Sequence, residues 1–313
     1  MLEGELHLFS GSANRALAKK ITRYLDIPLG EALVGQFADG ETRVEIQSNV
    51  RGRDVFIVQP TCAPANHHIM EALILADACR RASAQRITLV APYFGYARQE
   101  RKSAPRTPIT AKLIADLFTT AGYTRVLAFE LHAAAIQGFF NMPVDHLFAK
   151  PVFGPYFQDR SSNMVVVSPD AGGVERARAM AKHYGCGLAI IDKRRERPNE
   201  SAVMNIIGDV KGYDCLIVDD IVDTAGSLTQ AAEALTLAGS KSVSAAASHA
   251  VLSGPAIERI ENSQLVELVV TDSIPLSDAA KKCSKISQLS IAELLAKAIR
   301  RIHNSDSISS LFL

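Results

Sequence analysis

Residues 214–228 read Asp-Cys-Leu-Ile-Val-Asp-Asp-Ile-Val-Asp-Thr-Ala-Gly-Ser-Leu, and the rest of the fold is built around this stretch. Its apolar, β-branched run at 215–218 predicts a strand that is buried on both faces. Two acids, Asp219 and Asp220, follow where such a strand would leave the sheet, and a loop of small and hydroxylated residues comes next. A helical pattern then spans residues 229–238. Strand, acid pair, loop and helix in this order predict an anion-binding site at the carboxyl edge of an α/β sheet.

The two parts of this stretch suit two different groups of one ligand. Backbone N–H groups of the loop can point at phosphate oxygens, and the dipole of the following helix favours their negative charge. Thr224 and Ser227 add hydroxyl donors, while Ala225 and Gly226 let a ligand approach the backbone closely. The acid pair repels phosphate and should meet hydroxyl groups, so the pattern predicts a phosphorylated polyol. The alternative is that Asp223 and Thr224 only cap the helix and that the acid pair is solvated.

The length of the chain predicts two domains. Its 313 residues exceed a typical single domain, and each half is large enough for a core of its own. Prolines and a glycine between residues 143 and 155 mark the boundary. We therefore predict α/β domains of residues 1–147 and 148–313, each a mostly parallel sheet flanked by helices. The second includes a C-terminal helix with an apolar stripe at Leu294, Leu295, Ile299 and Ile302.

The composition narrows the class of protein. A hydrophobic share of 48% with 21% charged residues is typical of a globular protein, and the formal net charge of +1 predicts no general attraction to nucleic acid or anionic membranes. No apolar run approaches the roughly 20 residues of a membrane span, and we find no signal-peptide pattern. The 5 cysteines are scattered, without a CxxC pair, which indicates a reduced, cytoplasmic enzyme.

A weak internal repeat indicates that the two domains are related. A pattern of strand, loop, helix and strand that begins at residues 56–59 recurs from residues 216–219. At the strand end the first copy has Gln59 and Pro60 where the second has the acid pair. Only the second copy can therefore hold a diol with carboxylates, which places the predicted polyol site in the second half of the chain.

The same stretch is similar to a loop of a known fold. Residues 218–227 resemble the phosphoribosyl pyrophosphate loop of the phosphoribosyltransferase-like fold, and the chain from near Leu8 to near Phe312 resembles the bacterial ribose-phosphate diphosphokinases. The resemblance implies two tandem phosphoribosyltransferase-like domains and transfer of the diphosphoryl group of ATP to the C1 hydroxyl of ribose 5-phosphate, with release of AMP. It implies that the 5-phosphate lies at residues 223–227 and the ribose hydroxyls at Asp219 and Asp220.

The resemblance assigns ATP binding to two stretches of the first domain. Phe37, Asp39 and Glu41 match a segment that reaches the adenine of ATP across a subunit contact, although their local pattern by itself predicts only a plain hairpin. Arg98 and Gln99 match nucleotide-binding residues. The donors clustered around them suit phosphate oxygens but would equally form a solvated basic loop. The chain has neither a Walker A loop nor a GxGxxG motif, so ATP binding rests on the resemblance alone.

Metal binding and catalysis are assigned in the same way. His132 follows a predicted strand, where a histidine is more often structural than a ligand, and Asp170 stands at another strand end beside two glycines. The resemblance implies that both are associated with Mg²⁺ of Mg-ATP, although histidine is an unusual ligand for this hard cation. Residues 193–201 are too polar to pack and would otherwise form a solvated hairpin tip. They match the family's flexible catalytic loop, which implies that Lys193 and Arg195 close over the phosphates.

Three residues depart from the family's pattern, since aspartate is usual at the positions of Glu100, Glu130 and Asn141. They leave open a catalytically silent paralogue that binds synthetase subunits. A second alternative is an ordinary phosphoribosyltransferase, which would consume the product. The duplicated domain and the segment from Phe37 to Glu41 argue against it.

The resemblance also implies regulation by assembly. Family members form hexamers built from dimers, which phosphate activates and ADP inhibits at a site between subunits. The residues of this chain that resemble that site are Arg51, Ser83, Arg106, Ser307 and Ser309. Asn49 and Pro105 stand where serine is common in that site, so the resemblance gives weaker support to inhibition by ADP.

Overall fold

The computed structural model describes residues 4–194 and 203–311. Its contacts divide the chain into two units. The first unit holds the described residues up to Phe148, Ser273–Pro275 and the described residues from Ser290 onward, and the second holds Ala149–Asp272 and Leu276–Leu289. Each unit is built on one mostly parallel sheet with helices beside it, so the predicted fold class is confirmed.

The first unit has seven strands and four α-helices among the residues that the structure describes. The strands are β1 (Leu6–Ser10), β2 (Ala32–Gln36), β3 (Thr42–Ile46), β4 (Asp54–Val58), β5 (Arg86–Ala91), β6 (Arg125–Phe129) and β7 (Val144–Leu147). The helices are α1 (Arg15–Leu25), α2 (Ala65–Arg81), α3 (Thr110–Ala121) and, from the end of the chain, α9 (Ala292–His303).

The sheet of the first unit winds in one direction. Its order is β1-β4-β5-β6-β7, all parallel, and β2 and β3 form a separate antiparallel hairpin. All five residues of β4 are buried, because helices and loops cover both faces of the sheet. Each new strand is added beyond the previous one, so this sheet has no point at which the winding reverses.

The second unit has seven strands and five α-helices in its described part. The strands are β8 (Met164–Ser168), β9 (Gly187–Arg194), β10 (Val203–Ile207), β11 (Asp214–Val222), β12 (Ser242–Ala250), β13 (Glu267–Thr271) and β14 (Ile286–Leu289). The helices are α4 (Lys150–Phe157), α5 (Val174–Tyr184), α6 (Gly226–Leu237), α7 (Ala256–Glu261) and α8 (Asp278–Lys282).

The sheet of the second unit reverses its winding between two neighbouring strands. Its order is β10-β9-β8-β11-β12-β13-β14, and only β10 is antiparallel to its neighbour. The chain leaves β8 toward β9 on one side and leaves β11 toward β12 on the other. Ligands of open α/β sheets bind outside the carboxyl ends of the strands at such a point. This topology therefore predicts a ligand-binding crevice at the carboxyl ends of β8 and β11.

The core of the second unit explains why β11 and α6 form where they do. Cys215 and Ile217 of β11 are almost fully buried in one cluster with the helix. Residues of α6 at helical spacing complete the cluster, namely Leu228, Ala231, Ala232 and Leu235. The small alanines let the helix approach the sheet closely, which fixes the loop between β11 and α6.

The C-terminal helix groups with the first unit, which differs from the predicted domain of residues 148–313. Helix α9 packs along α1 and buries Leu295 and Ile299 completely. At its end, His303 Nδ1 lies 2.8 Å from an oxygen of buried Asp54, which also accepts a 2.7 Å hydrogen bond from Arg86 Nε. The apolar stripe predicted a buried face, but a stripe does not specify which sheet covers it. Among the described residues, no helix is long and apolar enough to cross a membrane.

Candidate functional site

The acid pair lies inside strand β11, not beyond its end as predicted. The strand continues to Val222, because β12 continues to pair with it: Asp219 is opposite Ala247 and Ile221 is opposite His249. On the other edge, pairing with β8 runs only from Asp214 to Ile217. The two carboxylates therefore stand on a part of β11 that extends past the end of β8, at the crevice where the winding reverses.

An arginine that sequence reasoning missed holds the acid pair. Arg176 lies in the first turns of α5, and its Nη1 atom is 3.4 Å from Asp220 Oδ1 and 3.9 Å from Asp219 Oδ1. The backbone N–H of Asp220 also donates to Asp219 Oδ1 at 2.9 Å. The Asp220 side chain is only 7% exposed, whereas that of Asp219 is 29% exposed. Asp219 thus faces outward while Asp220 anchors the pair.

Burial and repulsion change the protonation of this pair. Burial raises the pKa of the Asp219 carboxyl, the neighbouring Asp220 carboxylate raises it further, and the Arg176 guanidinium opposes both effects. The pair therefore holds a proton more readily than isolated aspartates do. Hydroxyl groups that donate hydrogen bonds to these oxygens would stabilise the ionised pair, so the site is suited to a ligand with adjacent hydroxyls.

The loop after the acid pair has the geometry of an anion-binding nest. Helix α6 begins at Gly226, three residues before the predicted start, because Ala225 O already accepts the N–H of Thr229 at 2.9 Å. Ala225 is buried and adopts a left-handed conformation with φ 59° and ψ 1°. A left-handed residue followed by helical ones turns successive N–H groups toward one point. Such a conformation costs a non-glycine residue about 1–3 kcal/mol, and strain of this kind concentrates at functional sites.

Two residues beyond β12 brace this loop from outside. The Ser253 hydroxyl donates to Asp223 Oδ1, and the Ser253 N–H donates to Asp223 O at 3.0 Å. Arg259 Nη1 donates to Thr224 O at 3.0 Å. Asp223 therefore uses its carboxylate within the protein, whereas Thr224 and Ser227 are exposed to ligands.

Asp170 lies in the loop that follows β8, the parallel neighbour of β11. Its Oδ1 atom accepts the N–H of Gly173 at 2.9 Å, and its backbone oxygen accepts the Ser168 hydroxyl at 2.7 Å. A Cβ at position 173 would lie 2.9 Å from Ser168 Oγ, so glycine allows this tight turn. Because β8 and β11 are parallel neighbours, the structure brings Asp170, the acid pair and the nest to one edge of the sheet.

In the first unit, the segment from Phe37 to Glu41 forms the tip of the β2–β3 hairpin, as its local pattern predicted. The N–H of Glu41 donates to Asp39 Oδ1 at 3.0 Å, and the N–H of Phe37 donates to Glu41 O at 2.8 Å. The Phe37 ring is 51% exposed, with the Arg43 guanidinium 5.7 Å from its centre. An exposed aromatic ring beside a cation offers a stacking surface.

The other residues of the first unit that were predicted to bind nucleotide or metal follow adjacent strands. Arg98 and Gln99 lie in a short 3₁₀ turn after β5, where Gln99 Oε1 accepts the Thr110 hydroxyl at 2.6 Å. His132 is exposed and follows β6, after buried Glu130, whose φ of 42° is left-handed. Since β5 and β6 are parallel neighbours, these side chains belong to one sheet edge.

Two predicted residues lie at the limit of what the structure describes. Lys193 belongs to β9, which continues to Arg194. The backbone of Lys193 pairs with that of Met204 on β10. The predicted strand ended at Asp192, so the extra pairing with β10 lengthens it. Arg195 and the rest of the predicted catalytic loop up to Ser201 lie outside the described residues.

No group of three histidine, cysteine or acidic side chains that could hold a metal occurs in the described ranges. His132 and Asp170 belong to different units. The residues missed by sequence reasoning are Arg176, Ser253 and Arg259. They look like ordinary surface residues of helices and loops, and only their distances to the acid pair and the nest identify them.

Family models, relatives of known sequence and a solved structure all relate this chain to the same kind of protein. Residues 6–122 match the N-terminal domain of ribose phosphate pyrophosphokinase, and residues 194–313 match the phosphoribosyl synthetase-associated domain. The chain is 54% identical to a ribose-phosphate pyrophosphokinase of Nitrosomonas europaea, covering 98% of both chains. It is 55% identical to one of Agrobacterium fabrum, covering 98% of this chain and all of the relative. It matches a crystal structure of phosphoribosylpyrophosphate synthetase from Mycobacterium smegmatis with a TM-score of 0.91 and 40% identity, over 96% of this chain and 99% of that one.

Proposed function

The chain belongs to the ribose-phosphate pyrophosphokinase family and forms 5-phosphoribosyl 1-diphosphate, and we propose that the crevice between β8 and β11 is where it binds ribose 5-phosphate. The reaction transfers the diphosphoryl group of ATP to the C1 hydroxyl of the sugar and releases AMP. The observation that carries the proposal is the reversal of winding, which sets a carboxylate pair and an N–H nest on one sheet edge. A phosphorylated sugar carries both of the groups that these two parts recognise.

In this proposal the nest binds the 5-phosphate. The N–H groups of Ala225, Gly226 and Ser227, the hydroxyls of Thr224 and Ser227, and the N-terminus of α6 all favour an anion there. Asp223 contributes through its backbone, since its carboxylate accepts a hydrogen bond from Ser253. A carboxylate turned away from the nest also avoids repulsion with the phosphate.

The acid pair binds the 2- and 3-hydroxyls of the ribose. Asp219 offers its outward oxygens, and Asp220 is held in the wall by Arg176. Two hydroxyl donors replace the proton that the raised pKa of Asp219 holds on the pair, so the sugar is selected by its diol as well as by its phosphate. With both ends of the sugar fixed, the C1 hydroxyl is presented in one orientation, and such alignment supplies much of the rate in phosphoryl transfer.

The first unit binds ATP. Arg98 and Gln99 grip the phosphates, and Phe37, Asp39 and Glu41 contact the adenine of ATP bound to a neighbouring subunit. The exposed Phe37 ring and the carboxyl-edge location of Arg98 support these roles. Glu100, one of the three departures from the family's pattern, has its Oε1 atom 3.4 Å from Arg101 Nε, so this arginine offsets part of its negative charge.

Mg²⁺ accompanies the nucleotide and offsets the charge of its phosphates when bound. Asp170 fits this ion: its carboxylate is exposed at the crevice, and only Oδ1 accepts a hydrogen bond among the described residues. His132 is exposed at its own sheet edge. A site without a protein cage suits Mg²⁺, which retains waters and takes substrate phosphates as ligands. Lys193 and Arg195 supply further positive charge to the diphosphate as the transfer proceeds.

A crystal soaked with ribose 5-phosphate tests the sugar site. We expect the phosphate at residues 223–227 and the ring hydroxyls at the acid pair. Sugar bound in the first unit would overturn the proposal. In solution, Asp219→Asn and Ser227→Ala should each raise the KM for ribose 5-phosphate, while Asp209→Asn, an exposed aspartate of the same unit, should leave it unchanged.

Self-association is part of the proposed function. Helix α3 exposes Leu113 by 56% and Leu117 by 38%, one turn apart, an apolar stripe that a second copy would cover in a hexamer built from dimers. Leu113→Glu should therefore lower the mass measured by light scattering, whereas Leu237→Glu, on the exposed end of α6, should not. An unchanged mass for Leu113→Glu would remove α3 from the contact.

Phosphate and ADP are the proposed effectors of that assembly. Ser83 and Arg106 have left-handed φ values of 64° and 67°, and Ser83 O accepts the N–H of Gly52 at 2.8 Å, next to Arg51. Near the chain end, the Ser309 N–H donates to Ser307 Oγ at 3.3 Å. Assays with and without phosphate and ADP test this regulation.

We also propose a cytoplasmic location, since the five cysteines are free thiols.

A further inference from the structure

An arginine outside the proposed sugar site holds the phosphate loop by its backbone. Arg259 lies on α7, a helix anchored in the core by Ala256 and Ile260, both fully buried. Its Nη1 atom donates to Thr224 O at 3.0 Å. A Cβ at position 226 would lie 3.1 Å from the same nitrogen, so the guanidinium packs directly against the backbone of Gly226.

The contact determines where the loop N–H groups point. Across a trans peptide bond, the carbonyl of one residue and the N–H of the next point in opposite directions. When Arg259 binds Thr224 O from the α7 side, the N–H of Ala225 must therefore point away from α7. The left-handed Ala225 then directs the following N–H groups to the same side, which completes the nest.

The hydrogen bond from Arg259 also offsets part of the free-energy cost of the left-handed conformation of Ala225. A left-handed alanine costs about 1–3 kcal/mol and persists only where its surroundings impose it. The Ser253 contacts to Asp223 fix the residue before Thr224, and Arg259 fixes Thr224 itself. Between them, these contacts define the two peptide planes that lead into Ala225.

We propose that Arg259 is a positioning residue for the phosphate subsite, one that orients the N–H groups of the loop without contacting the sugar. This inference rests on the proposed binding of the 5-phosphate at residues 223–227. It follows that loss of the guanidinium weakens binding of the phosphate group while leaving ATP binding and the transfer step unaffected. A side chain at position 226 would press against the guanidinium, which would have to shift by a few tenths of an ångström.

Steady-state kinetics of the full-length enzyme test the inference with Arg259→Ala and Arg259→Lys. A hydrogen bond from a charged donor contributes enough that we expect the KM for ribose 5-phosphate to rise about tenfold in Arg259→Ala. The KM for ATP and kcat should stay within about twofold. Lysine keeps the charge but not the planar fork, so Arg259→Lys should recover only part of the loss. Glu258→Ala, its exposed neighbour on α7, is the matched control and should behave as wild type.

A second readout separates loop geometry from general stability. Calorimetric binding of ribose 5-phosphate should weaken in Arg259→Ala, whereas binding of unphosphorylated ribose should not change. Equal losses for ATP and ribose 5-phosphate, or full rescue by lysine, would overturn the positioning role. If Asp219→Asn, Ser227→Ala and Arg259→Ala all leave the KM for ribose 5-phosphate unchanged, the proposed sugar site itself is wrong. If Asp219→Asn and Ser227→Ala raise it and Arg259→Ala does not, only the role of Arg259 is wrong.

Discussion

The acid pair on β11 should destabilise the ligand-free protein at neutral pH. Burial and the Asp220 carboxylate raise the pKa of Asp219 above its ordinary 3.8. A group whose pKa is raised on folding stabilises the protein below its unfolded pKa, and this stability is lost as the pH rises through the folded value. Asp219→Asn keeps the oxygen that accepts the Asp220 N–H but removes the charge. It should therefore stabilise the second unit at pH 7.

The size of the effect follows from the surroundings of Asp219. One unit of pKa corresponds to about 1.4 kcal/mol. Because the side chain is 29% exposed and Arg176 lies 3.9 Å away, solvent and the arginine offset part of the repulsion. We expect a gain of about 1–2 kcal/mol, which is typical when a residue kept for function is neutralised. For a domain of this size, each kcal/mol raises the Tm by about 2–4 °C.

Asp214, on the same strand, provides a matched control because its pKa shifts in the opposite direction. Hydrogen bonds from Ser242 and Lys241 to Asp214 lower its pKa, the Ser242 bond being the larger cause. Its contribution to stability is therefore present above pH 4 and is lost only as the pH falls through the lowered value. Asp214→Asn should cost about 1 kcal/mol at pH 7.

Thermal unfolding of both variants at pH 4 and at pH 7 measures the difference. Relative to wild type, Asp219→Asn should gain stability as the pH rises from 4 to 7, because wild-type Asp219 already carries a proton at pH 4. Asp214→Asn should be less stable at pH 7. A variant Asp219→Asn that is less stable than wild type at pH 7 would refute the idea that the two carboxylates repel each other.

Three further predictions concern catalysis and the first unit. The kcat/KM for ribose 5-phosphate should rise with pH as the acid pair loses its proton, and a pH profile of Asp219→Asn should lack that rise. Lys193→Ala should lower kcat by about 10²–10³ with little change in sugar affinity, while Lys211→Ala should leave both unchanged; equal losses of kcat and affinity would contradict the role. Leu295→Ala should cost about 2–5 kcal/mol in urea unfolding, because Leu295 is fully buried between α9 and its neighbours. Leu237→Ala, 82% exposed, should cost less than about 0.5 kcal/mol.

The central strand and helix of the proposed sugar site could be predicted because their signals are local. Residues 215–218 are apolar and β-branched, and the stripe of α6 repeats at helical spacing, so each element is specified by its own residues. The boundaries were less exact. Neither the continuation of β11 through Asp219 nor the start of α6 at Gly226 is visible locally, because the first depends on β12 as a partner and the second on the backbone of Ala225.

The sequence brings the residues of the proposed sugar site together, but it does not show which residues support them. A single stretch of the sequence contains Asp219, Asp220 and the loop 223–227, so the three can be recognised together. Arg176, Ser253 and Arg259 approach that stretch from elsewhere in the chain. An arginine on a helix surface has the same local pattern whether it faces water or a carboxylate.

The amino-acid order by itself determined the main strands and helices and the family, because backbone propensity, apolar periodicity and contiguous motifs are properties of neighbouring residues. Tertiary structure alone decided that the winding reverses between β8 and β11, that α9 packs with α1, and that Arg176 and Arg259 support the acid pair and the nest. The reason is physical: an apolar stripe or a charge gains the same free energy from any suitable partner, and only the packing of the whole chain selects which one it meets.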